Sequence, residues 1–294
     1  MYSGTIIKTM STLKIAIQKS GRLKEDSLSL LKSCGIRVHN GNDQLKVKAS
    51  NFPIEILYLR NSDIPKYLED GVVDIAIIGE NTLLEKQKQA RQILKLGFSK
   101  CNLSLAIPKE EDYSDLTYFD NKRIATSYPF TLRKFLEENN INAEIHLITG
   151  SVEIAPGIGL ADAVCDIVSS GSTLFKNGLK EVETILTSEA CLASSEKLSP
   201  HKEETLDKLL FRMNAVLRAK TSKYILMNVP NHNIEKVSSI LPVLKSPTVL
   251  PLSIAGWSSL HSVIEENKFW EVIDKLKSAG AEDILIVPVE KMVL

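Results

Sequence analysis

The sequence predicts an α/β protein: a two-lobed region with a cleft, followed by a smaller C-terminal unit of βαββαβ order. Three observations carry this expectation. Strand-like and helix-like patterns alternate from Leu13 onward, as they do in sheets joined by crossover helices. The chain has 294 residues, 44% of them hydrophobic, which exceeds the usual size of one domain and can fill more than one core. From Ser222 the rhythm changes to a strand, a helix, two strands, a helix and a strand.

Leu13 to Gln18 reads as a strand, Lys19-Ser20-Gly21-Arg22 as a turn, and Leu23 to Cys34 as a helix. Leu23, Ser27, Leu30, Leu31 and Cys34 recur at helical spacing, and Gly35 suits a left-handed C-terminal cap. Strands follow at Leu45 to Ala49 and Ile54 to Arg60, a helix near Ile64 to Asp70, a strand over Val73 to Ile78 and a helix from Glu80. A second α/β unit opens near Leu103, with strands at Leu103 to Ile107, Arg123 to Thr126, Glu144 to Ile148 and Val164 to Val168, and a helix over Thr131 to Asn139. Residues 181 to 193 read as strands returning to the first unit, and His201 to Lys220 as a long amphipathic helix. The expected boundaries are therefore 1–102 with 181–221 for one domain, 103–180 for a second inserted into it, and 222–294 for the tail. The tail reads as Tyr224 to Val229, Asn231 to Leu241, Thr248 to Ser253, Trp257 to Ile264, Asn267 to Ala279 and Ile284 to Val289, the ferredoxin-like order.

Composition excludes several classes. Lys plus Arg equals Asp plus Glu at 36 each, so no net field favours nucleic acid or an anionic membrane. No apolar run approaches the roughly 20 residues that cross a bilayer. The opening MYSGTIIKTMSTLK lacks the apolar core of an export signal, and a cytoplasmic location is expected. Cys34, Cys101, Cys165 and Cys191 are widely spaced without a CxxC pair, as are His39, His146, His201, His232 and His261, which argues for reduced thiols and against a His/Cys metal cage.

The chemistry-bearing stretch is CDIVSSGSTLFKNGL. A strand that breaks into Ser169, Ser170, Gly171, Ser172 and Thr173 before a helix start offers backbone amides and hydroxyls to an anion, a phosphate cradle; an ordinary N-cap turn reads equally well. Upstream lie Glu153, Asp162 and Asp166, carboxylates that suit sugar hydroxyls or Mg²⁺, although Asp162 also fits a helix start. Asp166 and Asp74 each interrupt an apolar run, where an unpaired carboxylate is costly. Lys19 and Arg22 close a strand of the first unit, the end at which open α/β sheets bind ligands, and suit phosphates. Arg60 reads as a solvated strand end.

The stretches LKIAIQKSGRL, DGVVDIAIIGEN, KRIATSYP, GSVEIAPGIGLADAVCDIVSSGSTLFKNGLKEVE and KLKSAGAEDILIVPVEKM strongly resemble the long form of the ATP phosphoribosyltransferases, over nearly the whole chain. The first dozen residues match nothing in that pattern, and Ile158 and Ser172 fall at positions that vary within it. The resemblance implies a periplasmic-binding-protein-like catalytic region and an ACT-like regulatory domain. It implies transfer of a phosphoribosyl group from 5-phosphoribosyl 1-pyrophosphate to adenine N1 of ATP with Mg²⁺, as the first step of histidine biosynthesis. Carried onto this chain, Ser169, Ser170, Gly171, Ser172 and Thr173 would hold the donor 5-phosphate, with Glu153 and Asp166 near its ribose. Lys19, Ser20, Gly21, Arg22 and Glu80 would face ATP or pyrophosphate, with Asp74 in the same cleft. Mg²⁺ would be held mainly through substrate phosphates. Leu244, Thr248 and Asp283 would line a pocket for the feedback inhibitor histidine, AMP and ADP would also bind, and the homo-oligomer would move between dimers and a hexamer. A solute-capturing binding protein would share the cleft pattern, and a purely regulatory protein would share the tail.

Overall fold

In chain order the elements of the computed structural model are β1 (Leu13–Gln18), α1 (Arg22–Ser33), β2 (Lys46–Lys48), β3 (Ile54–Leu59), α2 (Ile64–Glu69), β4 (Ile75–Gly79), α3 (Glu80–Lys86) and β5 (Arg91–Lys95). There follow β6 (Cys101–Pro108), β7 (Arg123–Thr126), α4 (Pro129–Glu138), β8 (Glu144–Leu147), β9 (Ala163–Val168), α5 (Ser172–Lys176), β10 (Leu179–Ser188), β11 (Ala190–Ser194) and α6 (Pro200–Lys220). The tail holds β12 (Ser222–Pro230), α7 (Ile234–Ile240), β13 (Thr248–Pro251), β14 (Trp257–Glu265), α8 (Glu266–Ser278) and β15 (Glu282–Pro288). The structure describes residues 12–39, 44–87, 90–168, 172–241 and 246–293, the side chains of Ser172 and Thr173 excepted.

Lobe I is a six-stranded sheet of order β2-β3-β1-β4-β11-β5. Its centre is parallel: Ile15 lies opposite Ile56 on one side and Ile75 on the other. Strands covered on both faces read as continuous apolar runs, and Ile15, Ala16, Ile17, Ile75, Ala76 and Ile77 are all fully buried. After α1, Gly35 takes φ +74° and the Ile36 amide donates to the Leu31 carbonyl (3.0 Å), the two features of a glycine-terminated helix. Lobe II is a five-stranded sheet, β10-β6-β9-β7-β8, with β7, β8 and β9 parallel. Leu103, Leu105, Phe119, Ile124, Leu132 and Cys165 fill one side of it.

The return to lobe I comes later than expected. Residues of β10 pair antiparallel with β6, from Leu179 opposite Pro108 to Ser188 opposite Cys101, because Val182, Ile185 and Leu186 pack into the lobe II core. Only β11 crosses back, opposite β4. The edge strand β5 was not anticipated: RQILK holds just two apolar residues, and edge strands carry little periodic signal.

The chain divides into two compact units, Asp207–Leu294 with Ser33–Gly35 forming the second. Within it, an antiparallel sheet of order β13-β14-β12-β15 carries the ferredoxin-like connection. Ile225, Met227, Val229, Val237, Leu260 and Leu276 form its core. Here the Tyr224 hydroxyl and His261 Nδ1 are 2.9 Å apart and His261 Nε2 lies 2.9 Å from the Ser259 hydroxyl, so this histidine is hydrogen-bonded on both sides. Cys34, Cys165 and Cys191 are buried free thiols and Cys101 is partly buried. Among the described residues no helix is long and apolar enough to cross a membrane.

Candidate active site

In lobe I, the C-terminal end of β1 runs into the exposed Lys19-Ser20-Gly21 loop. The Lys19 amide donates to the Leu59 carbonyl (2.8 Å), tying the loop to β3, and Gly21 takes φ +86° so that its carbonyl accepts the Lys24 and Glu25 amides of α1. The Arg22 side chain is 76% exposed, with Nε 3.9 Å from Asp26, so its guanidinium stays largely available to an anion at the ligand-binding end of the sheet.

Glu80 follows β4 at this same end, but its carboxylate turns along the sheet. It forms an ion pair with Lys95 (3.1 Å) and accepts hydrogen bonds from Gln92 and the Glu189 amide (3.3 Å). Burial pushes its carboxyl up, while the Gln92, Lys95 and Glu189 donors more than offset this and hold it below the usual carboxylate range. The expectation that Glu80 faces ATP is corrected accordingly: its oxygens are committed to β5 and to the Glu189 amide just before β11.

Asp74 requires a larger correction. It precedes β4 and lies beside Lys14, at the opposite end of the parallel strands from Arg22, five residues or about 16 Å of strand before Gly79. Oδ2 accepts the Lys14 amide (2.8 Å) and Oδ1 pairs with Lys202 Nζ (2.7 Å) on α6. Asp74 is a buried structural carboxylate with both oxygens engaged.

In lobe II, β9 ends beside the candidate phosphate loop. Ser169, Ser170 and Gly171 lie outside the described residues, while Ser172 and Thr173 open α5. Asp166 sits two residues before the end of β9, half-buried, and the Ile167 amide (2.8 Å) is the one donor it accepts among the described residues. Burial raises its carboxyl above the ordinary value; the neighbouring Glu153 charge adds to this and the Ile167 amide opposes it. Glu153 lies on a 3₁₀ turn, Val152–Ile154, beyond the C-terminal end of β8, so the fold brings these two carboxylates together. Asp162 does not join them and starts no helix. It forms a two-point ion pair with Arg123 (2.8 and 3.1 Å) and accepts the Arg123 amide (2.9 Å), bonds that lower its carboxyl to about 2.

Three site-proximal residues escaped the sequence reading: Asn81, Glu85 and Tyr128. The Tyr128 phenol is pushed up to about 12, chiefly by burial and then by the Asp166 charge, against a hydrogen bond from Asn81. The available signal was Pro129 at a helix start without a Ser, Thr, Asp or Asn before it, which leaves the helix end in need of a cap from elsewhere.

In the tail, Leu244 lies outside the described residues. Thr248 is exposed at the start of β13, and Asp283 on β15 takes φ +46° and accepts Asn228 Nδ2 (3.0 Å). These two are not brought together: β14 and β12 intervene, about 14 Å of sheet. Among the described residues no group of three or more His, Cys, Asp or Glu is placed to hold a metal ion.

This architecture has close counterparts. Residues 60–215 match a family model described as ATP phosphoribosyltransferase, and residues 219–291 one described as the HisG C-terminal domain. A protein named ATP phosphoribosyltransferase from Cytophaga hutchinsonii is 56% identical over 97% of this chain and 100% of its own. One of the same name from Bacteroides thetaiotaomicron is 54% identical over 96% and 100%. Among solved structures, a chain of the ATP phosphoribosyl transferase (HisG:HisZ) complex from Thermotoga maritima aligns at TM-score 0.61 and 29% identity, across 70% of this chain and 99% of that one. With agreement over nearly the whole length of both sequences, the chain belongs to the ATP phosphoribosyltransferase family, the transferases that begin histidine biosynthesis.

Proposed function

We propose that the chain joins ATP to 5-phosphoribosyl 1-pyrophosphate. Adenine N1 forms a bond to the anomeric carbon as the bond from that carbon to pyrophosphate breaks, its electron pair leaving with pyrophosphate. The product is N1-(5-phospho-β-D-ribosyl)-ATP. The observation that carries this reading is Asp166, a half-buried carboxylate with Glu153 beside it at the ligand-binding end of lobe II. With no cation paired to it among the described residues, it disfavours the empty site; facing a ribosyl centre that becomes positive, the same charge is stabilising. Residues 169–173 then hold the donor 5-phosphate through backbone amides, and Arg22 with the 19–21 loop receives pyrophosphate or the ATP phosphates. Glu153 and Asp166 are hard oxygen donors too few to cage an ion alone, which fits Mg²⁺ held mostly by substrate phosphates. When bound, that ion offsets charge on the departing pyrophosphate. Adenine N1 is already a base, so positioning supplies much of the acceleration.

The tail, residues 222–294, is assigned as a regulatory domain that binds histidine through Leu244, Thr248 and Asp283, in a cytoplasmic homo-oligomer that also takes AMP and ADP. Since Thr248 and Asp283 sit on opposite sheet edges, a site using both is shared between copies.

Mixing the protein with ATP, Mg²⁺ and the donor, with pyrophosphatase to draw the reaction forward, should produce the near-ultraviolet absorbance of an N1-substituted adenine. GTP, whose N1 carries a proton, should not. No new chromophore under saturating substrates would sink the assignment. For the tail, histidine should inhibit the full chain and not one truncated before Ser222; equal inhibition of both would move the effector site elsewhere.

A further inference from the structure

The chain passes between the two lobes twice, between β5 and β6 and again at Glu189 between β10 and β11. Paired crossings of this kind form a hinge, so other contacts must set the angle between the lobes. Helix α3 of lobe I makes them. Glu85 accepts hydrogen bonds from the Phe130 amide (3.0 Å), the Thr131 amide (2.9 Å) and the Thr131 hydroxyl (2.8 Å), at the first turn of α4 in lobe II. The residue preceding α4, Tyr128, provides no side-chain cap, so the cap comes from the other lobe. An anion at a helix N-terminus satisfies free amides and meets the positive end of the dipole.

Asn81 lies four residues before Glu85, hence on the same face of α3. Its Nδ2 donates to the Tyr128 hydroxyl (3.1 Å). Its amide donates to Ser188 Oγ (3.0 Å), whose hydroxyl donates back to Asn81 Oδ1 (3.0 Å) at the end of β10. From Tyr128 the path continues inward: its amide donates to Thr126 Oγ1 (2.9 Å), which donates to the Cys165 carbonyl (2.7 Å), the peptide that joins Cys165 to Asp166. Gly79 makes room for this arrangement. Its φ of −72° suits any residue, but a Cβ there would overlap Asn81 Oδ1.

We propose that Glu85 and Asn81 are positioning residues: they fix the angle between the lobes, and so the placement of Asp166 opposite the Lys19–Arg22 loop, rather than the fold of either lobe. The catalytic part of this rests on the transfer reaction proposed above; the lobe angle does not. With the donor on lobe II and the ATP phosphates on the Arg22 loop of lobe I, each substrate's contacts lie largely on one lobe, so loosening the clasp leaves binding nearly intact and impairs the step that needs both. A misplacement of about 1 Å can cost on the order of 100-fold in rate.

The test uses the full-length chain with Glu85→Ala, Glu85→Gln and Gly79→Ala, the last leaving both clasp residues chemically unaltered. Expected is a fall in kcat of about 10- to 100-fold in Glu85→Ala, with KM for each substrate within about twofold and Glu85→Gln intermediate. In parallel, nitroxides carried on genetically encoded ketone residues at exposed Lys48 of lobe I and Lys134 of lobe II should report a broadened inter-lobe distance in Glu85→Ala and Gly79→Ala. A lower melting temperature with unchanged kcat and an unchanged distance distribution would reduce the contact to local stability and overturn the proposal. Should even the parent chain transfer nothing, the reaction assignment fails while the distance measurement still decides whether the clasp sets the angle. If Glu85→Ala does not fold, Gly79→Ala and Glu85→Gln carry the same two readouts.

Discussion

Asp74 and Asp166 look alike in sequence, each an aspartate between apolar neighbours, Val73 and Ile75 in one case and Cys165 and Ile167 in the other. The fold treats them oppositely. Asp74 sits where the parallel strands of lobe I begin, and it accepts a backbone amide and a lysine ammonium. Asp166 sits near the end of β9, with one amide donor among the described residues and a second carboxylate nearby. A buried ion at the start of a sheet joins elements together, here α6 to lobe I. One at the finish of a sheet, left short of partners, is available for a ligand to complete. Strand polarity therefore separates the structural aspartate from the one proposed to act on the donor, a distinction that burial alone does not make.

Neutralising each in turn should break the comparison most directly. Asp166→Asn is expected to lower the transfer rate by roughly 100- to 1,000-fold, the usual cost of removing one preorganised electrostatic contact, while the folded chain becomes more resistant to urea at neutral pH. Retained turnover in this variant would place the charge-stabilising group elsewhere. Asp74→Asn should do the reverse. It leaves Lys202 beside an amide that cannot balance it, and because Lys202 is partly solvated the loss should be about 2–3 kcal/mol rather than the full value for a sealed pair. Its kcat should stay within about twofold of the parent below the melting transition. A large fall in kcat with unchanged stability would return Asp74 to the active site.

Much of this contrast was legible beforehand. The bounds of β1 and β7 were legible because each short apolar stretch is closed by polar residues, Gln18 at the end of one and Arg123 and Thr126 around the other. SSGST follows the C-terminal end of β9, the end of a parallel strand at which such sheets bind ligands. The partners were out of reach: Lys202 lies 128 positions from Asp74, and neither periodicity nor propensity couples residues so far apart. Glu80 misled because a carboxylate just after a strand suits a ligand as well as it suits Lys95 on an edge strand whose own pattern was too weak to see. The Glu85 clasp stayed hidden since a helix cap delivered from another lobe leaves only an absence in local sequence, the missing cap before Pro129.

The finest distinction lies within lobe II, where Asp162, just before β9, and Asp166, in its second half, respond to acid in opposite senses. The Arg123 bonds lower Asp162 to about 2 from an ordinary value near 4, so its contribution is complete above about pH 4 and is lost as pH falls toward 2. Because the pair is partly exposed, solvent screening reduces that contribution to roughly 1 kcal/mol. Asp166 is raised, chiefly by burial, so its favourable contribution is complete below the ordinary carboxylate value and disappears as pH rises through the folded value. As it ionises, it weighs against the empty fold. Urea midpoints of Asp162→Asn and Asp166→Asn, each compared with the parent from pH 3 to 8, should therefore diverge. Asp162→Asn should be less stable than the parent at pH 7, with the gap narrowing in acid. Asp166→Asn should be more stable at pH 7, with its advantage fading as the parent's carboxyl takes up its proton. Parallel curves for the two variants would mean that the two positions do not differ electrostatically, and the case for Asp166 as the group that waits for a positive ligand would lose its physical basis.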